Sequence, residues 1–281
     1  MEYTFKDVTL YYEIYGSGRP VFMIHGWGPD HRLMKGCMEP IFQSVKEPWK
    51  RIYFDLPGMG KTKGKPWITG SDQMLEIMLE FIDGIIPKEH FVLAGESYGG
   101  YLARGLIKRR PATIDGLLLI CPLTAPYVVT ADGIDKGDIP PLRVLERDPA
   151  LLQSLSEADR KQFESINVLQ NARVWARFRD EILPGLEAAD TDFLQNSLGK
   201  NVPFGFTVDQ LEQPYDKPVL MLMGRQDCAT GYRDIWRVIE NYSRASFVIL
   251  DKAGHNLQIE QDVLFTEMVK EWLGRVSEWI G

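Results

Sequence analysis

Four histidines and three cysteines are few for a chain of 281 residues, and their placement excludes several kinds of protein. Cys37, Cys121 and Cys228 are odd in number and far apart, which fits neither a disulfide framework nor a zinc site. They read as reduced thiols, the state kept in the cytoplasm. A basic excess is missing too: 32 Lys and Arg against 39 Asp and Glu leave a formal net charge of -7. Nucleic acid and anionic membranes both require a concentrated basic surface, so neither is expected as the main partner. A small molecule is expected instead. The N-terminal stretch MEYTFKDVTLYYEIYG lacks a basic start followed by an apolar block. No later window approaches the roughly 18 apolar residues of a membrane span. A cytoplasmic location is therefore the expectation. Repeats and low-complexity tracts are also absent, which argues against a solenoid or a tethering linker.

What the chain does have is apolar material, with 44% hydrophobic residues of which a good share is aromatic. That suffices for one large core with room for an insertion. Alternation over residues 8–15, the turn formers Gly16-Ser17-Gly18 and the apolar run 21–24 predict strands joined by a tight turn. Short apolar runs at 51–54, 91–94, 117–121, 219–223 and 246–250 read as strands buried on both faces. Helical patterns lie between them: 74–86 after the capping candidate Ser71, then 98–110, 232–241 and 257–272. Such alternation predicts parallel βαβ units in one α/β sheet. From about Thr124 to Gln213 the strand signal disappears and helical segments such as 156–168 and 171–183 take over. The division expected is an α/β core of residues 1–123 and 214–281, with a helical lid inserted at 124–213.

Gly95-Glu96-Ser97-Tyr98-Gly99 matches G-x-S-x-G, in which a serine sits on a sharp strand-to-helix turn facing a cleft. The context agrees, because a buried strand pattern precedes it and a helical pattern follows. A serine needs a base within hydrogen-bond reach and an acid to orient that base. In this architecture the chain order is Ser, acid, His. His25, His31 and His90 all precede Ser97, which leaves His255, in a loop just past the run 246–250. Asp227 closes the turn Gly224-Arg225-Gln226-Asp227 directly after the run 219–223, where open parallel sheets gather their functional groups. The other position, after 117–121, reads Pro122-Leu123-Thr124 and holds no carboxylate. A plainer role for Asp227 is to cap the helix expected near Tyr232. The backbone N–H groups of Trp27, in His25-Gly26-Trp27-Gly28, and of Tyr98 are candidates for stabilising an oxyanion. The Trp27 indole is a candidate pocket wall.

With these motifs assembled, the chain resembles the α/β-hydrolase superfamily in its lid-bearing branch of small intracellular serine hydrolases. The resemblance rests on His25 to Gly28, Asp55-Leu56-Pro57-Gly58-Met59-Gly60, Gly95 to Gly100, Gly224 to Asp227 and Gly254-His255, in the family's order and spacing. It implies about eight mostly parallel strands flanked by helices, with the active site between sheet and inserted lid. It gives Asp55 a structural part only. Related haloalkane dehalogenases and epoxide hydrolases carry aspartate where Ser97 stands. Carbon-carbon bond hydrolases share the serine triad and the lid but commonly have tryptophan after the catalytic histidine, where this chain has Asn256.

The expectation is hydrolysis of an ester, lactone or thioester through an acyl-enzyme on Ser97, with no metal or organic cofactor. Carbon-carbon cleavage by the same triad, a lyase or cofactor-free oxygenation step, and a ligand receptor without turnover stand as alternatives. For the pocket, the expected candidates are Phe163, Trp175, Phe178, Phe193, Phe204 and Phe206 of the lid, Trp175 and Phe178 foremost. Lid-to-core packing would also account for them. Arg173, Arg177 and Arg179 either bind a substrate carboxylate or form a solvated face.

Overall fold

In strands buried on both faces, successive side chains still point to opposite sides, and the apolar runs divide on that rule. Phe22 and Ile24 face one core cluster while Val21 and Met23 face the other, and Leu93 and Val92, Leu117 and Leu118, and Met221 and Leu222 separate in the same way. The computed structural model describes residues 1–124, 128–130, 133–135 and 139–281. The elements run β1 (Glu2–Phe5), β2 (Val8–Tyr15), β3 (Arg19–Ile24), α1 (His31–Phe42), β4 (Trp49–Phe54), α2 (Ser71–Ile85), β5 (Phe91–Glu96), α3 (Tyr98–Arg109) and β6 (Ile114–Ile120). After an intervening segment come β11 (Val219–Gly224), β12 (Ala245–Leu250), α9 (Leu257–Glu260) and α10 (Asp262–Ile280). Eight strands form one sheet in the order β1-β2-β4-β3-β5-β6-β11-β12. The pairs β1–β2 and β2–β4 are antiparallel and the other five are parallel. This is the mostly parallel α/β architecture expected from the alternation of elements.

Helices α2 and α3 cover one face, and α1 and α10 the other. Phe81 of α2 anchors the first cluster, its ring 5.1 to 5.9 Å from those of Tyr3, Tyr12, Phe22 and Phe54.

The intervening segment is more varied than the helical reading of 124–213 allowed. It contains α4 (Pro149–Ser154), α5 (Glu157–Glu164), α6 (Ala172–Glu181), α7 (Leu183–Ala188) and α8 (Thr191–Asn196), but also two short ladders. Strands β7 (Val128–Thr130) and β8 (Gly133–Asp135) pair antiparallel, and β9 (Glu146–Arg147) pairs parallel with β10 (Leu169–Gln170). Strands of two or three residues are too short to show a period of two. Residues 125–127, 131–132 and 136–138 of the expected lid lie outside the described residues.

Other expectations need correction. Ser71 does not cap α2: Gly70 holds the N-cap position. The Ser71 hydroxyl instead donates to the Val202 carbonyl at 2.5 Å and accepts from the Tyr98 hydroxyl at 2.8 Å, tying α2 to α3 and to residue 202. The helix expected at 232–241 is a 3-10 helix, Asp234–Asn241. The helix expected at 257–272 is split at Gln261, whose φ of -120° and ψ of 46° break the α path. Helix α1 was not read from the sequence at all. Its Asp30 cap and amphipathic face are present, but Gly36 and Pro40 interrupt the pattern.

Because Phe81 is fully buried among four rings, Phe81→Ala should lower the free energy of unfolding by about 3–5 kcal/mol. A urea melt measures this, and a loss under about 1 kcal/mol would mean that the cluster repacks.

Candidate active site

Every group of the candidate site stands at the carboxyl end of a parallel strand, so the sheet register sets their spacing. Ser97 follows β5 at the sheet centre with φ 53° and ψ -119°, a conformation that a side-chain-bearing residue adopts only under constraint. The constraint is steric. A Cβ on Gly95 would strike the Gly99 carbonyl, and one on Gly99 would strike the Ile24 and His25 carbonyls of the neighbouring strand. Three hydrogen bonds to the Ser97 carbonyl, from Gly100 N at 3.0 Å, Tyr101 N at 3.2 Å and Leu123 N at 2.9 Å, hold the turn.

His255, in the loop after β12, and Asp227, in the turn after β11, reach the same point. His255 Nε2 lies 2.9 Å from Ser97 Oγ, and His255 Nδ1 lies 3.0 and 3.2 Å from the two carboxylate oxygens of Asp227. An ionised carboxylate only accepts, so Asp227 draws the imidazole proton to Nδ1 and leaves Nε2 to accept from the Ser97 hydroxyl. Asp227 is fully buried and also accepts from Ala229 N at 2.8 Å, Thr230 N at 3.0 Å and Thr230 Oγ1 at 2.8 Å. Asp227 does not cap the helix near Tyr232, which runs Asp234–Asn241 with Arg233 at its N-cap; its bonds to Ala229 and Thr230 close its own turn instead. Burial alone would raise the Asp227 carboxyl, but His255 and the amides of Thr230 and Ala229 hold it below the ordinary range. Burial likewise works against an imidazolium at His255, yet Asp227, Glu96 and Glu260 together raise its pKa above the ordinary 6.5.

Three functional neighbours were not found by sequence reasoning. Thr230 is one, through its bond to Asp227. Glu96 is the second: it sits inside the motif, is buried, and places Oε1 3.4 Å from His255 Nε2. The third is Glu260. Its Oε2 accepts from Gly254 N at 2.5 Å, while its Oε1 accepts from Val168 N at 2.5 Å and Leu169 N at 3.1 Å. One carboxylate thus holds the loop that carries His255 against the intervening segment. The sequence offered little signal for it, because Asn256-Leu257-Gln258-Ile259-Glu260 mixes two apolar residues with three polar ones.

The arginines complete this seam. Arg173 donates to the carbonyls of Ile259 and Glu260, each at 2.9 Å, and to Asp262 at 2.8 Å. Arg177 donates to the Gln258 carbonyl at 3.0 Å and pairs with Glu181. Together they satisfy the last carbonyls of α9, the groups a helix end leaves open. Arg173 remains exposed, as a solvated face requires, while Arg177 is half-buried and fits neither of the two roles expected for it. Arg179 does lie on a solvated face, paired with Asp180.

A cavity of about 70 Å³ opens beside Ser97 and His255, with Glu96, Trp27, Phe178 and Leu186 among its walls. Trp27 and Phe178 are where the sequence expected them. Trp175 is not on this wall: it packs against Phe163 and Phe178. Phe193 packs against Gly58 and Gly64, and Phe204 and Phe206 stack in a row on Tyr101. Helical spacing placed Trp175 and Phe178 on one face, but only the second reaches the cavity. Trp27 meets Tyr98 edge-on at 5.2 Å. Among the described residues, no protein acceptor meets the backbone N–H of Trp27 or of Tyr98. His25 is buried, accepts from Leu56 N at 3.0 Å and is held neutral by burial, so it braces this loop.

Among the described residues, two groups bring ligand-type atoms together, Cys121–Asp227–His255 and Asp30–His31–Asp55. Hydrogen bonds absorb the second: Asp55 accepts from His31 N, His31 Nδ1 and Lys61 N. No helix among the described residues is long and apolar enough to cross a membrane.

Sheet order, the strained serine turn and the strand-end placement of acid and histidine define the α/β-hydrolase class. The model of the alpha/beta hydrolase family matches residues 21–267, and the chain belongs to that family. It is 30% identical, with a TM-score of 0.82 over 99% of both chains, to the crystal structure of an alpha/beta superfamily hydrolase from Oenococcus oeni PSU-1. It is 24% identical to the pimeloyl-[acyl-carrier protein] methyl ester esterase of Legionella pneumophila (strain Corby), over 95% of this chain and 100% of that protein. A meta-cleavage product hydrolase from Pseudomonas fluorescens IP01 shares the fold, with 20% identity and a TM-score of 0.67 over 95% of this chain and 94% of its own.

The raised pKa of His255 is open to NMR, since only four histidines are present. In wild-type protein the His255 ring should titrate above 6.5. In Asp227→Asn, where burial loses its main opponent, it should titrate lower. An unchanged midpoint would show that Asp227 does not set the charge of this imidazole.

Proposed function

We propose that this hydrolase is a serine esterase that cleaves small carboxylic esters, including thioesters and lactones, through an acyl-enzyme on Ser97. The observation that carries the reading is the continuous chain from Ser97 Oγ to His255 Nε2 and from His255 Nδ1 to Asp227, all three residues being buried. The esterase names of relatives that match nearly the whole chain support it.

In this mechanism Ser97 Oγ attacks the ester carbonyl carbon as its proton passes to His255 Nε2. The imidazolium that forms is stabilised by Asp227, whose carboxylate remains ionised. Negative charge on the former carbonyl oxygen would be met by the N–H groups of Trp27 and Tyr98. Collapse of the tetrahedral adduct breaks the carbon–oxygen bond, and Nε2 returns the proton to the departing alcohol. Water then repeats the attack with His255 as base, releasing the acid and restoring Ser97. Since the base must be neutral, the rate rises as pH climbs through the His255 titration.

A cavity of about 70 Å³ is far below the roughly 300–1,000 Å³ typical of sites for drug-sized ligands. It suits a methyl or other short group at the reacting end. Residues 124–213 act here as the lid, and a longer acyl chain enters only when Ile182 and Leu186 withdraw. The Legionella pneumophila relative is named as a methyl ester esterase, and a methyl ester fits a small alkoxy pocket beside the serine. The reaction needs no metal or organic cofactor.

Hydrolysis of short methyl esters, followed by acid release in a pH-stat, should fall by about 10³-fold or more in Ser97→Ala. Turnover retained in that variant would rule out the acyl-enzyme route.

A further inference from the structure

Between the turn at Ser97 and the loop of His25 to Gly28 lies one carboxyl that the proton relay does not use. Glu96 is 2% exposed and its side chain lines the same small cavity as Ser97 and His255. Its Oε1 is 3.4 Å from His255 Nε2. On the other side it presses on Gly26, where a Cβ would overlap the carboxyl, so the absence of a side chain at 26 is what admits it. The remaining walls are apolar apart from Asn256, and among the described residues neither lysine nor arginine lines the cavity. Arg177, next to Phe178 on α6, is turned away toward Glu181 and the Gln258 carbonyl.

We propose that Glu96 is a charge filter for the reaction: it admits esters that are uncharged or cationic around the scissile carbonyl and rejects those that carry a carboxylate there. The inference rests on the serine esterase reading and narrows its substrate class. A carboxylate within a few ångströms of Glu96 would meet a like charge in a site with little water, where such contacts are weakly screened. Discrimination on the order of 10- to 100-fold is the expected scale. The same repulsion acts on the acid released at the end of each cycle, so Glu96 also favours product departure.

The charge on Glu96 is itself adjustable. Burial pushes its carboxyl up to about 7, His255 and the Gly26 amide favour the anion, and Asp227 opposes it. The other titratable groups that feel Glu96 are Cys37 of α1 and Cys121 after β6, both thiols kept neutral by burial. Among the described residues His255 is therefore the one cationic neighbour when protonated. Filtering should be strong above pH 7 and should weaken below it.

The experiment measures phosphonylation of Ser97, with loss of p-nitrophenolate, by two ethyl p-nitrophenyl alkylphosphonate diesters of equal length, one ending in a methyl group and the other in a carboxylate. The carboxylate stays ionised down to about pH 5. Taking the ratio of the two rates cancels their shared dependence on His255. At pH 8 the wild type should favour the neutral reagent, the preference should fall about tenfold in Glu96→Gln, and Glu96→Asp should keep it. Wild-type protein alone should show the preference narrowing between pH 8 and pH 6. A ratio that stays within about twofold across Glu96→Gln and across that pH range would overturn the filter while leaving the serine reading intact. Labelling of Ser97 by neither reagent in folded wild-type protein would overturn the esterase reading and the filter with it.

Discussion

The close approach of α3 to the end of β5 is the constraint on which the rest of the site depends. With φ at 53° Ser97 cannot relax into either the strand or the helix; a side chain at Gly95 would force the two apart, and one at Gly99 would strike the end of β3. Release of that turn would withdraw the hydroxyl from His255 and separate Tyr98, the first residue of α3, from the loop of Trp27. The turn is held from outside as well. Ser97 N donates to the Ile120 carbonyl of β6 at 2.9 Å, so the sheet itself fixes the nucleophile's height. A strained residue at a functional position is stable only when its surroundings over-determine it.

Around that turn the molecule gathers three buried carboxyls about one imidazole, and each has a different partner set. Asp227 is satisfied by the turn that carries it and by Nδ1. Glu260 is satisfied by three amides, two from the segment that enters the site from 124–213. Glu96 has the fewest partners and faces the cavity. Their combined field favours a positive charge at His255, which is the charge that develops as a serine proton is taken up. The seam formed by Glu260, Arg173, Arg177 and the Asn256–Asn167 contact at 2.9 Å also joins β10 and α6 to the histidine loop. In the lid proposed above, movement of that part would disturb His255, which leaves opening to the side formed by Ile182, Leu183 and Leu186.

Much of the fold was legible in the sequence, because parallel strands covered on both faces need runs of apolar residues and the helices between them need a 3.6 period. Ser97, His255 and Asp227 were legible for another reason: the motif fixes one residue, chain order leaves a single histidine, and strand-end placement selects the acid. What escaped depends on neighbours distant in sequence. Glu96 and Glu260 look like ordinary surface acids until the chain folds over them. Arg177 looks like part of a solvated face until α9 ends beneath it. Trp175 and Phe178 share a helix face, and only three-dimensional packing decides which of them meets the cavity. Helix α1 was hidden by Gly36 and Pro40, and the ladders of β7 to β10 by their brevity.

The central claim is that Ser97 becomes acylated during turnover, and rapid mixing of the protein with a short-chain p-nitrophenyl ester tests it most directly. The account predicts a burst of p-nitrophenol approaching one equivalent per chain, with a matching mass gain on the peptide that carries Ser97 and no burst in Ser97→Ala. Steady turnover with no acylated peptide, unaffected by that substitution, would contradict it.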